Sequence, residues 1–450
     1  MRRLVVAVLT ALGVSVGVAH AHTIDLISSG YYDFTHLPAQ VDAVGGTLIL
    51  SDSPEYVDKP GVLSAGTVDG EGRIYFYHVN EMKEPQKISL VIENKSRKKE
   101  EVTVHRQLQS VSTPDYFLAG RDLSRKDLEQ PLFGDQLVEE SWKKGEDSNA
   151  KGGKKKDKKS AKTQSKADAK TQSNMDAKAH DANKTHSTFH EVDLRKAIKP
   201  YTRKEPFGGE KQVLGTFSLK PGERRQLFTD LDHTKVMPDD LFTGLFDFTT
   251  TGPSYVQVMM LPMKENPVEA SKHLASLPID DVRLRGTYQG AFRTMSVPTV
   301  FNSDLNAAYV EVANDREDPF ITGVDELDHN ESVKDSGNYG VSYHLTIKTR
   351  GSQPFRLYAN PQGGAYSGSF VVSTDYESKR YDVGMPYIGH KTILDTAYLG
   401  TYHGGDTLYI EFMPAGASNL PLKFLLVPEG QVVEQTESSP SVITNLLNHL

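Results

Sequence analysis

Three glycine-rich segments of the sequence place tyrosine and amide side chains where a small polar ligand could bind. The segments are "GNYG", "NPQGGAYSG" and "GTYHGGD", and they contain Tyr339, Asn360, Tyr366 and Tyr402. Sugar rings stack on exposed aromatic side chains and hydrogen-bond to neighbouring amides, and loops at the edge of a β-sandwich often carry binding sites. These four residues are therefore predicted to bind a ligand such as a glycan. The alternative is that the glycines form turns and the tyrosines pack over them.

The sequence contains no recognisable catalytic motif, and no catalytic residue is predicted. In the nearest approach to a serine-hydrolase elbow, Gly364–Gly368, the serine stands one place too late. The sequence also lacks a His-Glu-x-x-His motif, a phosphate-binding glycine loop and a dinucleotide fingerprint. Its 59 acidic residues offer too many carboxylate pairs to single out two for glycosidic chemistry. These observations favour a non-catalytic protein and leave the question of enzyme activity open.

A copper site is one hypothesis about metal binding. If a signal peptide is cleaved after Ala21, the mature chain begins at His22. The free amine and the imidazole of that residue could then form one arm of a copper-binding histidine brace. The second arm would come from His36, His78 or His105. The alternative is that His22 is an ordinary first residue with no ligand role.

An acidic segment is a second feature that bears on metals. The stretch from Glu311 to Asp335 holds nine acidic residues against two basic ones. Oxygen-rich clusters suit calcium, but the Asp and Asn spacing departs from the helix-loop-helix calcium motif. A solvated acidic face is therefore the preferred interpretation, and no metal or other cofactor is predicted.

The chain that must position these residues has 450 residues, which is long enough for two folded domains. Residues 1–21 combine two arginines, an apolar run of 15 residues from Leu4 to Val18 and an Ala-His-Ala ending, as a signal peptide does. The apolar run is shorter than the about 20 residues that span a bilayer, which favours a signal over an anchor. No second apolar run of spanning length follows, so no transmembrane segment is expected after signal cleavage. The sequence has no cysteine, which excludes disulfides and thiolate metal sites. We therefore expect a protein that is secreted or located in the cell envelope.

Charge is distributed unevenly along the chain. The full sequence has a formal net charge of −8. Residues 143–186, which we name the basic segment, contain 13 lysines against six acidic residues and carry +7. With the two arginines of the signal also set aside, the remainder of the chain carries −17.

The basic segment contains no Val, Ile, Leu or aromatic residue. Because it has little to bury, it cannot offset the ~1–2 kcal/mol per residue of backbone entropy that ordering costs. A disordered insertion is predicted at residues 143–188.

The basic segment also suggests a class of partner. Its lysines predict electrostatic attachment to an anionic cell-surface polymer or polysaccharide. Specific nucleic-acid binding is not predicted, because no aromatic residue interleaves with the lysines. The alternative is a solvated insertion whose lysines maintain solubility or which lies on the acidic surface of the same protein. The sequence does not indicate an oligomeric state.

A first β domain is predicted at residues 22–265, interrupted by the basic segment. Its strand-like runs are rich in β-branched and aromatic residues. They are "GTLILSD", "GRIYFYHV", "KISLVIEN", "EEVTVHRQ", "KQVLGTFSLKPGERRQLF" and "PSYVQVMMLP". A helix is predicted from Arg121 to Phe133, with Asp122 or Ser124 as its cap. A short helical junction is predicted at residues 266–281.

A second β domain is predicted at residues 282–428, before a polar tail at residues 429–450. Its strand-like runs are "VRLRGTYQG", "AAYVEVAN", "GVSYHLTIKTR", "PFRLYANP", "SGSFVVST", "TAYLGTYHGGDTLYIEFMP" and "LPLKFLLVP". Many short strands separated by regular turn residues are typical of a β-sandwich or a jelly roll. The predicted fold class is all-β, with two domains of β-sandwich or jelly-roll type.

Several of these runs resemble a family of bacterial proteins. They are "GGTLILSDSPEYVDKPGVL", "IYFYHVNEMKEPQKISLVIEN", "RLRGTY", "NYG", "NPQGGAYSGSF" and "PAGASNLPLKFLLVP". In this order they are similar to parts of secreted proteins of Gram-positive-type bacteria that are labelled copper amine oxidase-like. The resemblance covers nearly all of the chain outside the basic segment and the two ends, and it implies an exported, two-part β protein of the cell envelope. It carries over no catalytic residue, and the sequence has no copper amine oxidase catalytic region.

The expected function rests on the signal, the β architecture and the charge distribution. We expect a non-catalytic extracellular or cell-envelope protein that binds or organises surface polymer. The alternative is a carbohydrate-active accessory protein or enzyme whose second domain recognises a glycan. A copper site at His22 is a further, smaller alternative.

Overall fold

The fold is all-β, as predicted from the sequence. The computed structural model describes residues 34–133, 189–193, 207, 210–389 and 396–429, with the backbone alone described at 189–193. Strands make up most of these residues, and only two short α-helices and one 3₁₀ turn accompany them there. The predicted signal peptide at 1–21 and the predicted disordered insertion at 143–188 lie outside the described residues, as does the predicted tail after residue 429.

The described residues contain 25 strands, numbered in chain order. The first thirteen are β1 (Thr35–His36), β2 (Gln40–Val44), β3 (Thr47–Ser51), β4 (Tyr56–Val57), β5 (Gly61–Val68), β6 (Glu71–Asn80), β7 (Gln86–Asn94), β8 (Glu100–Gln109), β9 (Phe189–Asp193), β10 (Gly215–Leu219), β11 (Arg224–Gln226), β12 (Leu241–Thr250) and β13 (Ser254–Pro262). The others are β14 (Arg285–Gln289), β15 (Phe292–Asn302), β16 (Ala308–Val312), β17 (Thr322–Asp325), β18 (Glu331–Lys334), β19 (Ser342–Arg350), β20 (Pro354–Pro361), β21 (Tyr366–Ser373), β22 (Ser378–Ile388), β23 (Ala397–His403), β24 (Thr407–Phe412) and β25 (Leu422–Pro428). The helices are α1 (Tyr116–Glu129) and α2 (Pro267–Ala270), and the 3₁₀ turn is Thr229–His233.

A nine-stranded and a four-stranded sheet form the first sandwich. The larger sheet has the order β10-β8-β12-β6-β3-β14-β17-β18, with β4 beside β6, and the smaller has the order β11-β7-β13-β5. One face of the larger sheet, including Ile74, Phe76 and Phe246, packs against Ile88 and Val258 of the smaller sheet. Alternating apolar residues along these strands give each sheet a face to bury, which accounts for the sandwich.

A seven-stranded and a five-stranded sheet form the second sandwich. Their orders are β2-β15-β19-β24-β21-β22-β9 and β1-β16-β25-β20-β23. Phe370 and Phe412 of the seven-stranded sheet contact Phe424 of the five-stranded sheet, with ring centroids 5.7 and 5.6 Å apart. Tyr75 and Leu245, on the second face of the nine-stranded sheet, belong to the same hydrophobic core. The two sandwiches therefore share one continuous core.

The sheets do not follow the predicted boundary at residues 266–281. Strands β14, β17 and β18, from the predicted second domain, extend the nine-stranded sheet beyond β3. Conversely, strands β1, β2 and β9, from the predicted first domain, belong to the sheets of the second sandwich. The described residues all belong to one compact unit. The predicted helical junction is confined to α2, which Asn266 caps by accepting from the Glu269 backbone N–H at 3.1 Å.

The main helix begins earlier than predicted. It runs over Tyr116–Glu129, and its cap is Asp115 instead of Asp122 or Ser124. The Asp115 carboxylate accepts from the Leu118 backbone N–H at 3.0 Å, which satisfies one of the free donors of the first turn. The aromatic residues and the glycine at the start of this helix are poor helix formers in isolation, so propensity alone places its start too late. Burial of Ala119 and Leu123 in the shared core stabilises the helix.

Candidate functional site

The four residues predicted to bind a ligand do not form an exposed surface. Asn360 and Tyr366 are fully buried, and Tyr402 is 3% exposed. The Tyr402 hydroxyl donates to the Leu399 carbonyl at 2.8 Å. Tyr339 is half-buried, and its hydroxyl donates to the Ser418 carbonyl at 2.6 Å. A ring in the core offers no face to a sugar, so this arrangement does not support the predicted stacking role.

The glycines beside these tyrosines explain the segments in another way. Gly340 and Gly400 have φ of +77° and +106°, in the region that favours glycine. A Cβ at Gly337 would lie 2.4 Å from the Tyr339 ring, and one at Gly400 would lie 2.8 Å from the Tyr402 hydroxyl. Gly337 and Gly340 lie in a turn and Gly400 lies within β23, and tyrosines pack against Gly337 and Gly400, as the alternative interpretation of the sequence proposed in part.

The structure instead exposes aromatic side chains around the start of α1. Tyr56 and Tyr116 have ring centroids 6.4 Å apart, and Phe117 and Tyr387 have centroids 4.9 Å apart. Tyr56 and Tyr387 leave 50% and 43% of their surface accessible, while the two helical residues are half-buried. We name these four residues the aromatic surface. It combines β4, the first turn of α1 and the end of β22, so no single segment of sequence forms it.

Local hydrogen bonds hold the elements that carry the aromatic surface. Strand β4 pairs in parallel with β6, which fixes Tyr56 opposite Val79. From α1, the Arg121 guanidinium donates to the Ser367 hydroxyl at 2.8 Å and to the Gly384 and Pro386 carbonyls. These bonds tie the segment before Tyr387 to the helix that carries Phe117. The aromatic surface therefore has a preorganised backbone.

Carboxylates lie beside the aromatic surface. Burial is the main cause that raises the pKa of Tyr116, followed by its contact with Tyr56 and by the charges of Glu55 and Asp239. Burial also raises the pKa of the half-buried Glu55 carboxyl, and the nearby Asp280 adds to the effect. The exposed carboxylate of Asp115 caps the same helix. The surroundings of the Tyr56–Tyr116 pair are thus acidic, whereas the Arg121 guanidinium lies near the Phe117–Tyr387 pair.

A sequence signal for the aromatic surface exists, although the glycine-based reasoning missed it. Each aromatic residue follows a proline closely, in "PEY" (54–56), "PDYF" (114–117) and "PY" (386–387). Proline fixes φ and lacks a backbone donor, so such segments lie at the ends of regular elements and at the molecular surface. In the first two, an acidic residue stands directly before the tyrosine.

A buried serine and histidine have the geometry of a nucleophile and its base but no access for a substrate. The Ser51 hydroxyl lies 2.7 Å from His78 Nε2, and His78 Nδ1 lies 2.9 Å from the Pro54 carbonyl. If Nδ1 carries the proton, Nε2 accepts from the serine, as in nucleophilic catalysis. Both side chains are fully buried, and burial lowers the pKa of His78 to about 4. The pair therefore acts as a structural hydrogen bond.

A buried charge network around Asp247 is also structural. Asp247 accepts from Arg73 Nε and from Arg106 Nε, each at 2.7 Å. Burial alone would raise the pKa of Asp247, but the two guanidinium groups outweigh it and lower this pKa below its usual value. Arg73 also donates to the Ser342 hydroxyl at 2.9 Å and lies 4.4 Å from the centroid of the Phe292 ring. A small cleft lies beside these groups, and its charged lining is already paired within the protein.

The histidines proposed as second arms of a copper brace have other partners. His78 forms hydrogen bonds through both ring nitrogens. His105 does the same, with the Gln212 carbonyl at 2.7 Å and the Thr249 hydroxyl at 2.8 Å. His36 stacks on Tyr309 with its Nε2 3.2 Å from Glu317. His22 lies outside the described residues. In the described part of the chain, no cluster of three or more His, Cys, Asp or Glu side chains could hold a metal ion.

The acidic segment is not simply a solvated face, in contrast to the preferred interpretation of the sequence. Of its carboxylates, Asp318, Asp325 and Asp335 are fully buried. Asp325 accepts from Arg285 at 2.7 and 2.8 Å, and Asp318 accepts from the Tyr343 hydroxyl at 2.8 Å. The difference has a topological cause, because β17 and β18 extend the nine-stranded sheet, with Asp325 at the end of β17 and Asp318 and Asp335 in the segments that flank the two strands.

Comparisons with known proteins identify no family for this chain. No protein-family model matches the sequence, and a search of curated proteins found no significant match. The resemblance to the copper amine oxidase-like secreted proteins therefore stays a prediction. Across the described ranges, no helix is both long and apolar enough to cross a membrane.

Proposed function

We propose that the protein is an exported, non-catalytic protein of the cell envelope or extracellular space that binds surface polysaccharide through the aromatic surface. The observation that carries this proposal is the exposure of Tyr56 and Tyr387, each in contact with a second ring at the start of α1. Amphipathic rings of this kind combine an apolar face with a polar edge, which suits the faces and hydroxyls of sugar rings. The proposal that the protein is exported rests on the predicted signal peptide at residues 1–21.

A polymeric ligand fits two ring pairs better than a single sugar does. The ring pairs belong to successive helical residues, Tyr116 and Phe117, whose side chains point about 100° apart around the helix. Two separated stacking sites on one ligand gain from effective concentration, because the second contact forms within the complex. A polysaccharide chain supplies repeated rings for such a pair of sites.

Charge favours an uncharged or amine-bearing polysaccharide at this surface. Glu55, Asp115 and Asp239 lie near Tyr116, and carboxylates repel phosphate or uronate groups. The predicted anionic polymer would have to bind elsewhere. The basic segment is the proposed binding site for that anionic polymer. This segment lies outside the described residues.

The proposal is tested by binding of the full secreted chain to insoluble polysaccharides. Glucan, chitin and chitosan serve as uncharged and amine-bearing polymers, and a uronic-acid polymer serves as the anionic one. We expect Tyr56→Ala and Tyr387→Ala each to weaken binding to an uncharged or amine-bearing polymer by about tenfold, the usual effect of losing a central aromatic contact.

The matched control is Tyr376→Ala. Tyr376 is 89% exposed and lies in the turn between β21 and β22, away from the four residues of the aromatic surface in sequence. Its loss should leave binding unchanged. Equal binding by wild type and both aromatic-surface variants would refute the role of this surface, and failure to bind any polysaccharide would refute the proposed function.

A further inference from the structure

A second cluster of polar groups lies inside the molecule, on the nine-stranded sheet. In the pairing registers, Leu48 stands opposite Tyr288, and Leu50 stands opposite Tyr75. Paired residues share a face and alternate residues of a strand share a face, so Tyr75 and Tyr288 lie on the same side of the sheet. The Asp52 backbone N–H continues the ladder by donating to the Leu284 carbonyl at 3.0 Å. Asp52 thus follows Leu48 and Leu50 on that side.

The loop after β18 covers this face and adds a second carboxylate. The Asp335 backbone N–H donates to the Ile321 carbonyl at 3.0 Å, which anchors the loop beside β17. Farther along, a Cβ at Gly340 would lie 2.8 Å from the Cβ of Tyr75. The loop backbone therefore contacts the tyrosine face directly.

The side chains of this cluster leave several oxygens without a hydrogen bond of standard geometry within the described structure, although the Tyr339 backbone lies near Asp335 and Thr243 and the Gly416 backbone lie near Tyr75. Asp335 is fully buried, and neither of its carboxylate oxygens has a hydrogen bond of standard geometry. The same holds for Oδ1 of the half-buried Asp52 and for the hydroxyls of Tyr288 and Tyr75, which are 0% and 1% exposed. Apart from burial, the charges of Asp335, Asp325 and Asp52 act on the pKa of Tyr288. We name these four residues the buried oxygen cluster.

Protonation of the carboxylates would not give every oxygen of the buried oxygen cluster a hydrogen-bond partner. A neutral carboxyl group carries no charge and gains one O–H donor, but the two phenol hydroxyls would still lack hydrogen bonds of standard geometry. Each buried polar group without a partner costs about 1–3 kcal/mol. Of the nearby cations, Arg285 pairs with Asp325, and Arg293 donates to the Pro319 carbonyl at 2.7 Å and acts on Asp335 through its charge without a hydrogen bond to it. A bound group that accepts oxygen ligands would satisfy the carboxylates and the phenols together.

We propose that the buried oxygen cluster binds one hard divalent cation, with calcium as the best-suited ion. Every donor in the cluster is oxygen, and two carboxylates balance the charge of a divalent ion. Calcium accepts carboxylates, neutral oxygens and water in irregular arrangements, whereas magnesium demands near-octahedral geometry. The set has fewer than three carboxylates, so neutral oxygens must complete the coordination. The site is independent of the aromatic surface and of the proposed polysaccharide binding.

Metal analysis of the full chain tests this inference first. Protein purified without chelator should contain about one equivalent of calcium. After chelation, added CaCl₂ should raise the midpoint of thermal unfolding in a saturable manner, because a ligand that binds only the folded state stabilises it. Magnesium and sodium chloride at matched ionic strength should raise it less. Protein that carries no metal and whose unfolding midpoint responds equally to all three salts would overturn the proposal.

Variants separate a cation site from a general salt effect. Asp335→Asn and Asp52→Asn should abolish the calcium-specific rise, and Tyr288→Phe should reduce it. Asp58→Asn, which alters an exposed acid six residues after Asp52, should retain it. If Asp335→Asn keeps the full calcium response, the assignment of the site is wrong. If that variant does not fold, Tyr288→Phe and the metal content of the wild type decide the question.

Discussion

At the scale of single residues, burial sets the behaviour of the ionisable groups in the core. Asp335 and His78 are both fully buried, and in each the neutral form is favoured. Burial raises the pKa of Asp335 well above its usual value and lowers that of His78 to about 4. By contrast, Asp247 has a lowered pKa because two arginines contact it. Asp335 and Asp247 are the same residue type, so only their three-dimensional neighbours decide which of them carries a charge.

The raised pKa of Asp335 predicts that folding stability changes with pH. Above the unfolded pKa of about 3.9, the unfolded chain releases the proton that the folded protein retains. The contribution to stability is therefore complete below pH 4 and is lost as pH rises toward the folded pKa. The loss is about 1.4 kcal/mol per pH unit for one such proton. Chemical denaturation in the presence of chelator, at half-unit steps from pH 4 to 8, measures it.

Comparison with a variant isolates this effect from that of His78. The lowered pKa of His78 acts in the opposite direction, since its contribution is lost as pH falls from about 6.5 toward 4. Asp335→Asn removes only the aspartate titration, so the difference in unfolding free energy between wild type and variant should vary with pH. A difference that stays constant over the whole range would contradict a retained proton at Asp335.

At the scale of secondary-structure elements, much of the fold could be predicted from the sequence. Runs such as "GRIYFYHV" and "KISLVIEN" predict strands because β-branched and aromatic residues crowd a helix and fit a pleated sheet, and they correspond to β6 and β7. Strands β12 and β22 were not predicted, since glycine or proline interrupts their apolar patterns at Gly244 and Pro386. The start of α1 was also misplaced. Its first turn depends on a cap and on tertiary packing, which propensity does not report.

Gly120 of α1 provides a test of that packing. A Cβ at this position would lie 2.1 Å from the Gly416 carbonyl oxygen, a backbone atom that cannot rotate away. Alanine is intrinsically a better helix former than glycine by about 1 kcal/mol. We nevertheless expect Gly120→Ala to destabilise the protein by about 1–3 kcal/mol, because overpacking forces the backbone to shift. Thermal or chemical unfolding of the full chain measures the change.

The control for this substitution is Gly215→Ala at the start of β10. A Cβ there would have nothing within 4 Å. Its effect should stay within about 0.5 kcal/mol, as for most surface substitutions. A stabilising Gly120→Ala would show that the helix does not approach Gly416 as closely as the structure places it.

At the scale of the whole molecule, the pairing of strands could not be predicted. Alternation of apolar residues shows that a strand has a buried face, but it does not identify the neighbouring strand. The sequence order suggested two successive domains, whereas β14 pairs with β3 and β2 pairs with β15. For the same reason, neither the aromatic surface nor the buried oxygen cluster was predicted. Each collects residues from strands and loops that are more than 200 positions apart in the chain, such as Asp52 and Asp335.

The exchange of strands predicts that the two predicted domains do not fold separately. A fragment of residues 22–265 would lack β14, leaving β3 with one open edge and the face that carries Tyr75 uncovered. A fragment of residues 282–428 would lack β1, β2 and β9, which form or extend the edges of both sheets of the second sandwich. Open edges and exposed core faces promote aggregation. Each fragment expressed alone should therefore be insoluble or lack a cooperative unfolding transition.

Co-expression of the two fragments supplies the decisive comparison. If the shared core drives their association, the fragments should co-purify as a one-to-one complex that unfolds in a single transition. The full chain is the reference, and it should unfold at a higher temperature because the covalent connection removes the entropic cost of association. A fragment of residues 282–428 that is monomeric and unfolds cooperatively would show that the strands from the amino-terminal half are dispensable. In that event, the continuous core seen around Tyr75 and Leu245 would be a contact between two independent domains, and the buried oxygen cluster would lie at their interface.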